Sequence, residues 1–499
     1  MINHPNLKLQ PAHSVLLSIL LLLSGCVTAP SSAPRATAAG NPPAASTRTA
    51  PAMPWKDTSA YQSTYKPLPA SDVLITNATI LTAAGDRIEN GSILLRDGKI
   101  AEIGQGVASA PGVNVVDAKG KWITPGLIDT HSHLGVYSSP GVQGLSDGNE
   151  ATNPNTAEVW AEHSVWPQDP QFLLALAGGV TTIQILPGSA NLFGGRGVTV
   201  KNVPARDVYA MKFPGAPYGL KMACGENPKR VYGTRNTAPS TRMGNVAGYR
   251  TAWLKARKYR DDWETWGRKV SNGEKEPTRP ERDLESETLV GVLEGTILVQ
   301  NHCYRADEMI TMIGVAEEFG YRITAFHHAV EAYKIADVLA QKNICADVWA
   351  DWWGFKMEAF DGIRENAALV DKAGGCAIIH SDSAEGIQRL NQEAAKSMAA
   401  GNRMGLTLKE EDAIRWITIN PARSLGVAAQ TGSLERGKMG DLVIWNGNPF
   451  SVYSRADRIY IDGALTYDRH DPARQPRMDF SLDLSADAVT TQVTPEVNR

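Results

Sequence analysis

The chain has 499 residues, enough for one large barrel with additions or for two to three domains. With 42% hydrophobic and 21% charged residues it has the balance of a soluble globular protein. A formal net charge of −3 gives no reason to expect nucleic acid or a strongly acidic partner.

At the N-terminus, Lys8 precedes the apolar run "SVLLSILLLL" from Ser14 to Leu23, and "LSGC" closes it at Cys26. A positive start, a short apolar stretch and small residues before a cleavage point describe a secretory signal over residues 1–25. The run is short of the ~20 residues a membrane span needs. "LSGC" resembles a bacterial lipobox, which implies cleavage before Cys26 and lipid on its thiol. Val27 rather than Asp follows the cysteine, and by the same resemblance this favours the outer membrane, with the protein facing the periplasm. Residues 26–70 are rich in Ala, Pro, Ser and Thr and read as a disordered tether.

Regular patterning starts near Ser71. "DVLITNATILTA", "GSILLRDGKIAEIG" and "VNVVDAKGKWITPG" alternate apolar residues with turn residues, the mark of antiparallel strands over 71–125. A matching set, "GSLERGKMGDLVIWNG" and "DRIYIDGALTYD", lies within 431–475, before a C-terminal tail at 476–499. Neither set suffices alone, so the two are expected to share one composite β-sandwich. Between them, over 126–430, strand-like runs alternate with helical ones, which predicts an α/β fold, a (β/α)8 TIM-like barrel. Thr234 to Arg282 departs from this rhythm; it reads either as an extra helical element over the barrel mouth or as an elongated connection. Cys224, Cys303, Cys345 and Cys376 lie in or beside apolar runs without compact spacing, and read as buried thiols with no disulfide framework.

The chemistry concentrates at strand ends. In "PGLIDTHSHLG", Pro125 to Gly135, His131 and His133 are two apart and face one side of a strand. His302 ends "TILVQNH", His327 and His328 end "YRITAFHH", and His380 and Asp382 end "CAIIHSD". Barrel active sites are built at this C-terminal rim, so histidines collected there point to a metal. Imidazole and carboxylate suit zinc or another divalent ion, which lowers the pKa of its water and polarises a carbonyl. Asp382 is the candidate to take the water's proton and pass it to a leaving nitrogen. His163, in "WAEHSVWPQD", falls outside any strand end and reads as a surface or packing residue.

Together, "ITPGLIDTHSHLG", "AGGVTTIQILPGSANLFGGRG", "IIHSD", "WITINPARSLGV" and "GSLERGKMGDLVIWNGNP" resemble the amidohydrolase superfamily, in its imidazolonepropionase-like and Xaa-Pro-dipeptidase-like branch. The resemblance runs from about Asp72 to Asp468 and implies a barrel with a composite β-sandwich. It implies His131 and His133 as first-strand ligands, His302 on the fifth strand, His328 on the sixth with His327 as the alternative, and Asp382 on the eighth. For the fourth strand, "YGLKMACGENPK" offers Lys221, carboxylated to bridge two ions, or Glu226 for a one-metal site. His380 shares a strand face with Asp382 and reads as a substrate or water contact or as a structural hydrogen bond.

Trp349, Trp352 and Trp353 in "DVWADWWGFKMEAFDGI" are candidates to wall a pocket, with Lys356 or Arg364 for an anionic group. "PGSANLFGGRG", Pro187 to Gly197, reads as a loop shaping the mouth. The expected activity is hydrolysis of a C–N bond in an amide, cyclic amide or small peptide by metal-bound hydroxide, with one or two ions per chain. Deamination of a ring amidine is the enzymatic alternative, and a non-catalytic binding protein the alternative of another class. A small-molecule or small-peptide substrate, a membrane reached through the lipid anchor and room for a homo-oligomer complete the expected partners.

Overall fold

The computed structural model describes residues 51–57, 60–109 and 111–475. The signal segment, Cys26 and the tail at 476–499 lie outside the described residues, as does the tether up to residue 50.

Eight strands follow one another around the barrel in chain order: β1 Leu127–Ser132, β2 Val180–Ile185, β3 Phe193–Lys201, β4 Gly219–Ala223, β5 Leu298–Cys303, β6 Ile323–His328, β7 Cys345–Val348 and β8 Cys376–Ile379. All neighbours pair in parallel except β3, which runs antiparallel to β2 and β4. This corrects the expectation of eight parallel strands. The glycine-rich stretch is half loop and half strand, and its glycines hid the apolar "GVTVK" that follows. Gly195 is needed as glycine: its φ is +108°, and a Cβ there would meet the Val159 carbonyl oxygen at 2.4 Å.

The barrel is nearly closed. Between β8 and β1 no ladder forms, and the backbone of Trp416 and Ile417 bridges the gap by accepting from Ile379 N (3.0 Å) and Ile128 N (2.9 Å). Above this bridge Asp382 N donates to His131 O at 3.0 Å, joining the two strand ends directly.

Helices pack around the barrel with their apolar faces inward, as in Ala306–Phe319, where Met309, Met312, Ile313, Ala316 and Phe319 are buried. The helix Pro170–Ala177 begins with Asp169, whose carboxylate accepts from Gln171 N at 3.1 Å and from Gly135 N at 2.8 Å. One N-cap thus also fixes the loop that leaves β1 after His133. The long helix Arg242–Ser271 packs against the helices Leu284–Leu293 and Ala306–Phe319, burying Trp253 and Trp263. It runs along the barrel's flank instead of over the mouth, and only its first turns reach the rim, where Asn245 donates to Gly225 O and Tyr249 to Ala223 O.

The terminal segments join in one eight-stranded sheet. Trp122–Pro125 pairs antiparallel with Leu442–Trp445 on one edge and parallel with Thr79 and Ile80 on the other. Strands from both segments are therefore combined in one hydrogen-bonded sheet, and one core gathers Ile75, Ile93 and Ile100 from the first segment with Leu442, Ile444 and Tyr460 from the second. Part of the expected tether is also structured. Trp55 is buried against Tyr259, Thr64 N donates to Tyr209 O at 3.0 Å, and Lys212 Nζ donates to Tyr61 O at 2.7 Å. Trp55, Tyr61 and Tyr65, aromatic residues in a polar stretch, supply the apolar contact that composition alone conceals.

The cysteines form two disulfides, Cys224–Cys303 and Cys345–Cys376, which corrects the reading of free thiols. Cys345 and Cys376 are directly opposite in the β7–β8 ladder, and Cys303 leaves β5 beside the turn after β4. Register between neighbouring strands, not spacing along the chain, brings each pair together.

Candidate metal centre

At the C-terminal rim the barrel gathers six imidazoles, one lysine and one aspartate. Ring centroids separate His131 from His133 by 5.2 Å, from His328 by 4.7 Å and from His380 by 5.3 Å, and His302 from His328 by 4.5 Å. Asp382 Oδ1 lies 3.2 Å from His133 Nε2 and 3.7 Å from His131 Nε2, and Oδ2 lies 3.8 Å from His328 Nδ1. Lys221 Nζ, on β4, is 3.1 Å from His131 Nε2 and donates to Pro187 O at 3.0 Å.

Local backbone conformation makes this convergence possible. On β1 the alternation puts Asp129, His131 and His133 on one side. At the ends of β6 and β8, His328 (φ +69°), Ala329 (φ +24°) and Asp382 (φ +48°) occupy the left-handed region that non-glycine residues avoid. Such strain concentrates at functional sites, and here it turns His328 and Asp382 toward each other.

The same turn separates His328 from His327. His327 Nε2 faces Gln300 Oε1 at 2.7 Å and its Nδ1 faces His131 Nδ1 at 2.9 Å. The Gln300 amide is oriented by donating to Ser424 O at 3.1 Å, so Oε1 accepts from His327 Nε2–H. His327 Nδ1 then accepts from His131 Nδ1–H, and the lone pair of His131 Nε2 is left facing Lys221 and Asp382. On the other side, His133 Nδ1 donates to Leu186 O at 2.8 Å, which aims its Nε2 at Asp382. His327 is thus the residue that sets the tautomer of His131. Sequence reading offered it only as an alternative ligand; the doublet "HH" gives no sign of the role, which rests on Gln300 one strand away.

Asp129 was also missed. Fully buried, it accepts from Ser381 N at 3.1 Å, from His131 N at 3.2 Å and from Ser381 Oγ, and so braces β1 against the end of β8. Its place two residues before His131 on the same strand face was the available signal.

Burial sets the protonation states. It holds His131, His302, His327 and His328 well below the usual histidine value, and brings His380 down to about 3. Neutral imidazole is the form that binds a metal. Burial lowers Lys221 to about 7. Asp382 is pulled the other way: burial raises it, but the hydrogen bond and charge of His133, with His380 and Lys221, leave it below its ordinary value and ionised.

A divalent ion fits this set. Both ring nitrogens of His302 and of His380, and Nδ1 of His328, are buried without a hydrogen-bond partner. Unpaired buried polar atoms are costly, and an ion held between them removes that cost. His131, His133 and Asp382 form one group whose ligand atoms lie within 4.8 Å of one another, and His131, His328 and His380 form a second. Glu226 is not brought to the cluster. It opens the helix Glu226–Gly233 and pairs with Lys356 Nζ at 3.5 Å.

Over the centre, Trp349 stacks on His328 with centroids 4.2 Å apart, and Trp352 stacks on Trp349 at 4.7 Å. Together with Trp353 and Arg364 they line a cavity of about 200 Å³ that opens onto His328. Lys356 is engaged elsewhere, over the Tyr304 ring and beside Glu226 and Glu358.

Comparison with known proteins agrees with this architecture. The amidohydrolase family profile matches residues 299–477. The crystal structure of an amidohydrolase from Thermotoga maritima MSB8 superposes with a TM-score of 0.73 at 38% sequence identity, over 80% of this chain and 100% of that one. The chain belongs to the amidohydrolase family. This family member is also 33% identical over 371 residues, 71% of its length, to the amidohydrolase tasK of Hapsidospora irregularis, and spans only 37% of that larger protein. It is 25% identical over 380 residues to an imidazolonepropionase of Mesorhizobium japonicum, covering 72% of this chain and 87% of the other.

Proposed function

We propose that this chain is a metal-dependent hydrolase that cleaves a C–N bond in an amide, cyclic amide or small peptide. The observation that carries the reading is the convergence of His131, His133, Lys221, His302, His328 and Asp382 on one rim, with imidazole nitrogens buried and unpaired. One or two divalent ions, zinc for a set of neutral imidazoles and carboxylates, would be held by these six residues. Bound there, such an ion supplies Lewis acidity toward the carbonyl oxygen and acidifies the attacking water.

The chain's own groups do the rest. Asp382, ionised and 3.2 Å from His133 Nε2, accepts the proton of the attacking water and delivers it to the departing nitrogen. Lys221, brought to about 7 and so in part neutral at neutral pH, is the amine whose nitrogen would add to CO2 with loss of one proton, and the resulting carbamate would help to hold the ions. The stacked Trp349 and Trp352 shield one side of the centre from water and give a flat surface for the substrate.

The test is turnover by purified protein against matched panels of N-acyl amino acids, dipeptides, cyclic amides and ring amidines. Carboxylate and amine released from the amide panels are expected. Ammonia released from the amidines alone would replace the reading with deamination, and no turnover of any panel by metal-loaded protein would remove it.

We also propose that the mature protein begins at a lipid-modified Cys26 and faces the periplasm, on the strength of "LSGC" and of two disulfides that suit an oxidising compartment. Cys26→Ser is expected to abolish membrane attachment in fractionated cells; unchanged attachment contradicts it.

A further inference from the structure

The cavity beside His328 has an uneven supply of hydrogen-bonding groups. Apart from His328, which belongs to the candidate metal centre, its acceptor side chains are already used. Asp351 receives Lys396 Nζ at 3.0 and 3.1 Å. Asn366 is spent at both ends: Nδ2 donates to Ala329 O and Val330 O at 3.0 Å each, and Oδ1 accepts from Tyr333 N at 2.9 Å. Trp349 Nε1 is committed to Ser381 O at 3.2 Å. Among the described residues the Arg364 guanidinium has neither a carboxylate nor a carbonyl partner, although it lines the same cavity. A cavity walled by stacked indoles, with one unpaired cation and no unpaired carboxylate, is matched by a ligand with a flat apolar group and an anionic end.

We infer that Arg364 is the specificity-determining residue of this hydrolase: it receives the carboxylate of a substrate whose flat side chain lies against Trp349 and Trp352. The inference rests on the hydrolytic reading above and narrows its substrate class to acylated amino acids or short peptides with a free carboxylate and an aromatic or large apolar side chain. A guanidinium suits this task because its fork matches a carboxylate in two parallel hydrogen bonds, a match that lysine reproduces only as a point charge. Arg364 is exposed at the rim, so replacing it leaves the core untouched.

The experiment uses binding, so that it is separable from turnover. Full-length metal-loaded protein is titrated with N-acetyl-L-phenylalanine and with its carboxamide, reading quenching of the cavity tryptophans. Wild type is expected to bind the acid about tenfold or more tightly than the amide, the scale of a charge-assisted hydrogen-bonded pair. Arg364→Ala should bind the two probes alike, and Arg364→Lys should keep part of the preference. Equal affinity in wild type, no binding of either probe, or a preference that survives in Arg364→Ala overturns the inference. Preference for the acid without turnover of any amide panel would sink the hydrolytic reading and leave Arg364 as a carboxylate receptor.

Discussion

Lys221 has no exposed surface, and that burial changes what the side chain can do. An amine that is cationic in water is brought to about 7 inside the barrel, next to His131 Nε2. Lys221→Ala should therefore lose metal and turnover together, with partial return of both when a short carboxylic acid is added. Glu226→Ala should keep both, because that carboxylate belongs to the Lys356 pair. The reverse pattern, measured by elemental analysis and turnover on the two variants, would restore the one-metal alternative. Asp382→Asn keeps the shape and one oxygen but removes the base, so the rate should fall by about 10²–10⁴-fold with the fold intact by circular dichroism. An Asp382→Asn variant that holds its metal and most of its turnover would transfer the proton to another group, with His380 as the neighbouring candidate. At this scale the gathering of histidines with Asp382 was legible because the strand-end histidines fall on one rim. The roles of His327 and Asp129 were not, since both act through partners on other strands.

Among the elements, β4 and β5 carry Lys221 and His302, and the Cys224–Cys303 disulfide ties their ends together. The second disulfide lies at the opposite, N-terminal ends of β7 and β8. The bridges close loops of 79 and 31 residues, and each should contribute about 2–4 kcal/mol, the longer loop more. Cys345→Ser is expected to lower the denaturant midpoint while leaving turnover near wild type. Cys224→Ser should lower the midpoint and also weaken metal retention, because it frees a strand end that bears a ligand. An unchanged midpoint in both oxidised variants would show that the bridges do not constrain the chain. Neither bridge could be read from spacing, since each depends on which strands become neighbours. The antiparallel β3 escaped for a related reason: glycines broke the apolar pattern where the chain needed a positive φ. The βα alternation elsewhere was plain because short strands opening on apolar residues, such as Leu298–Cys303 and Cys376–Ile379, alternate with helical runs.

In the whole molecule, the chain's two ends meet at Trp122–Pro125, whose edge is completed by Leu442–Trp445 from more than 300 residues away. Composite pairing of these segments was legible from two short sets of strands that could not stand alone, whereas their arrangement as one continuous sheet depends on hydrogen-bond partners that alternation does not specify. That sheet leaves the C-terminal rim of the barrel free, and there the buried imidazoles, Lys221 and Asp382 face one another. The central claim is that this rim holds a catalytic metal. Elemental analysis of purified protein, run beside turnover before and after exhaustive chelation, tests it most directly. About one or two divalent ions per chain are expected; ions and turnover should be lost together on chelation, and return together when zinc is added. Full turnover by protein shown to be free of metal would contradict the account.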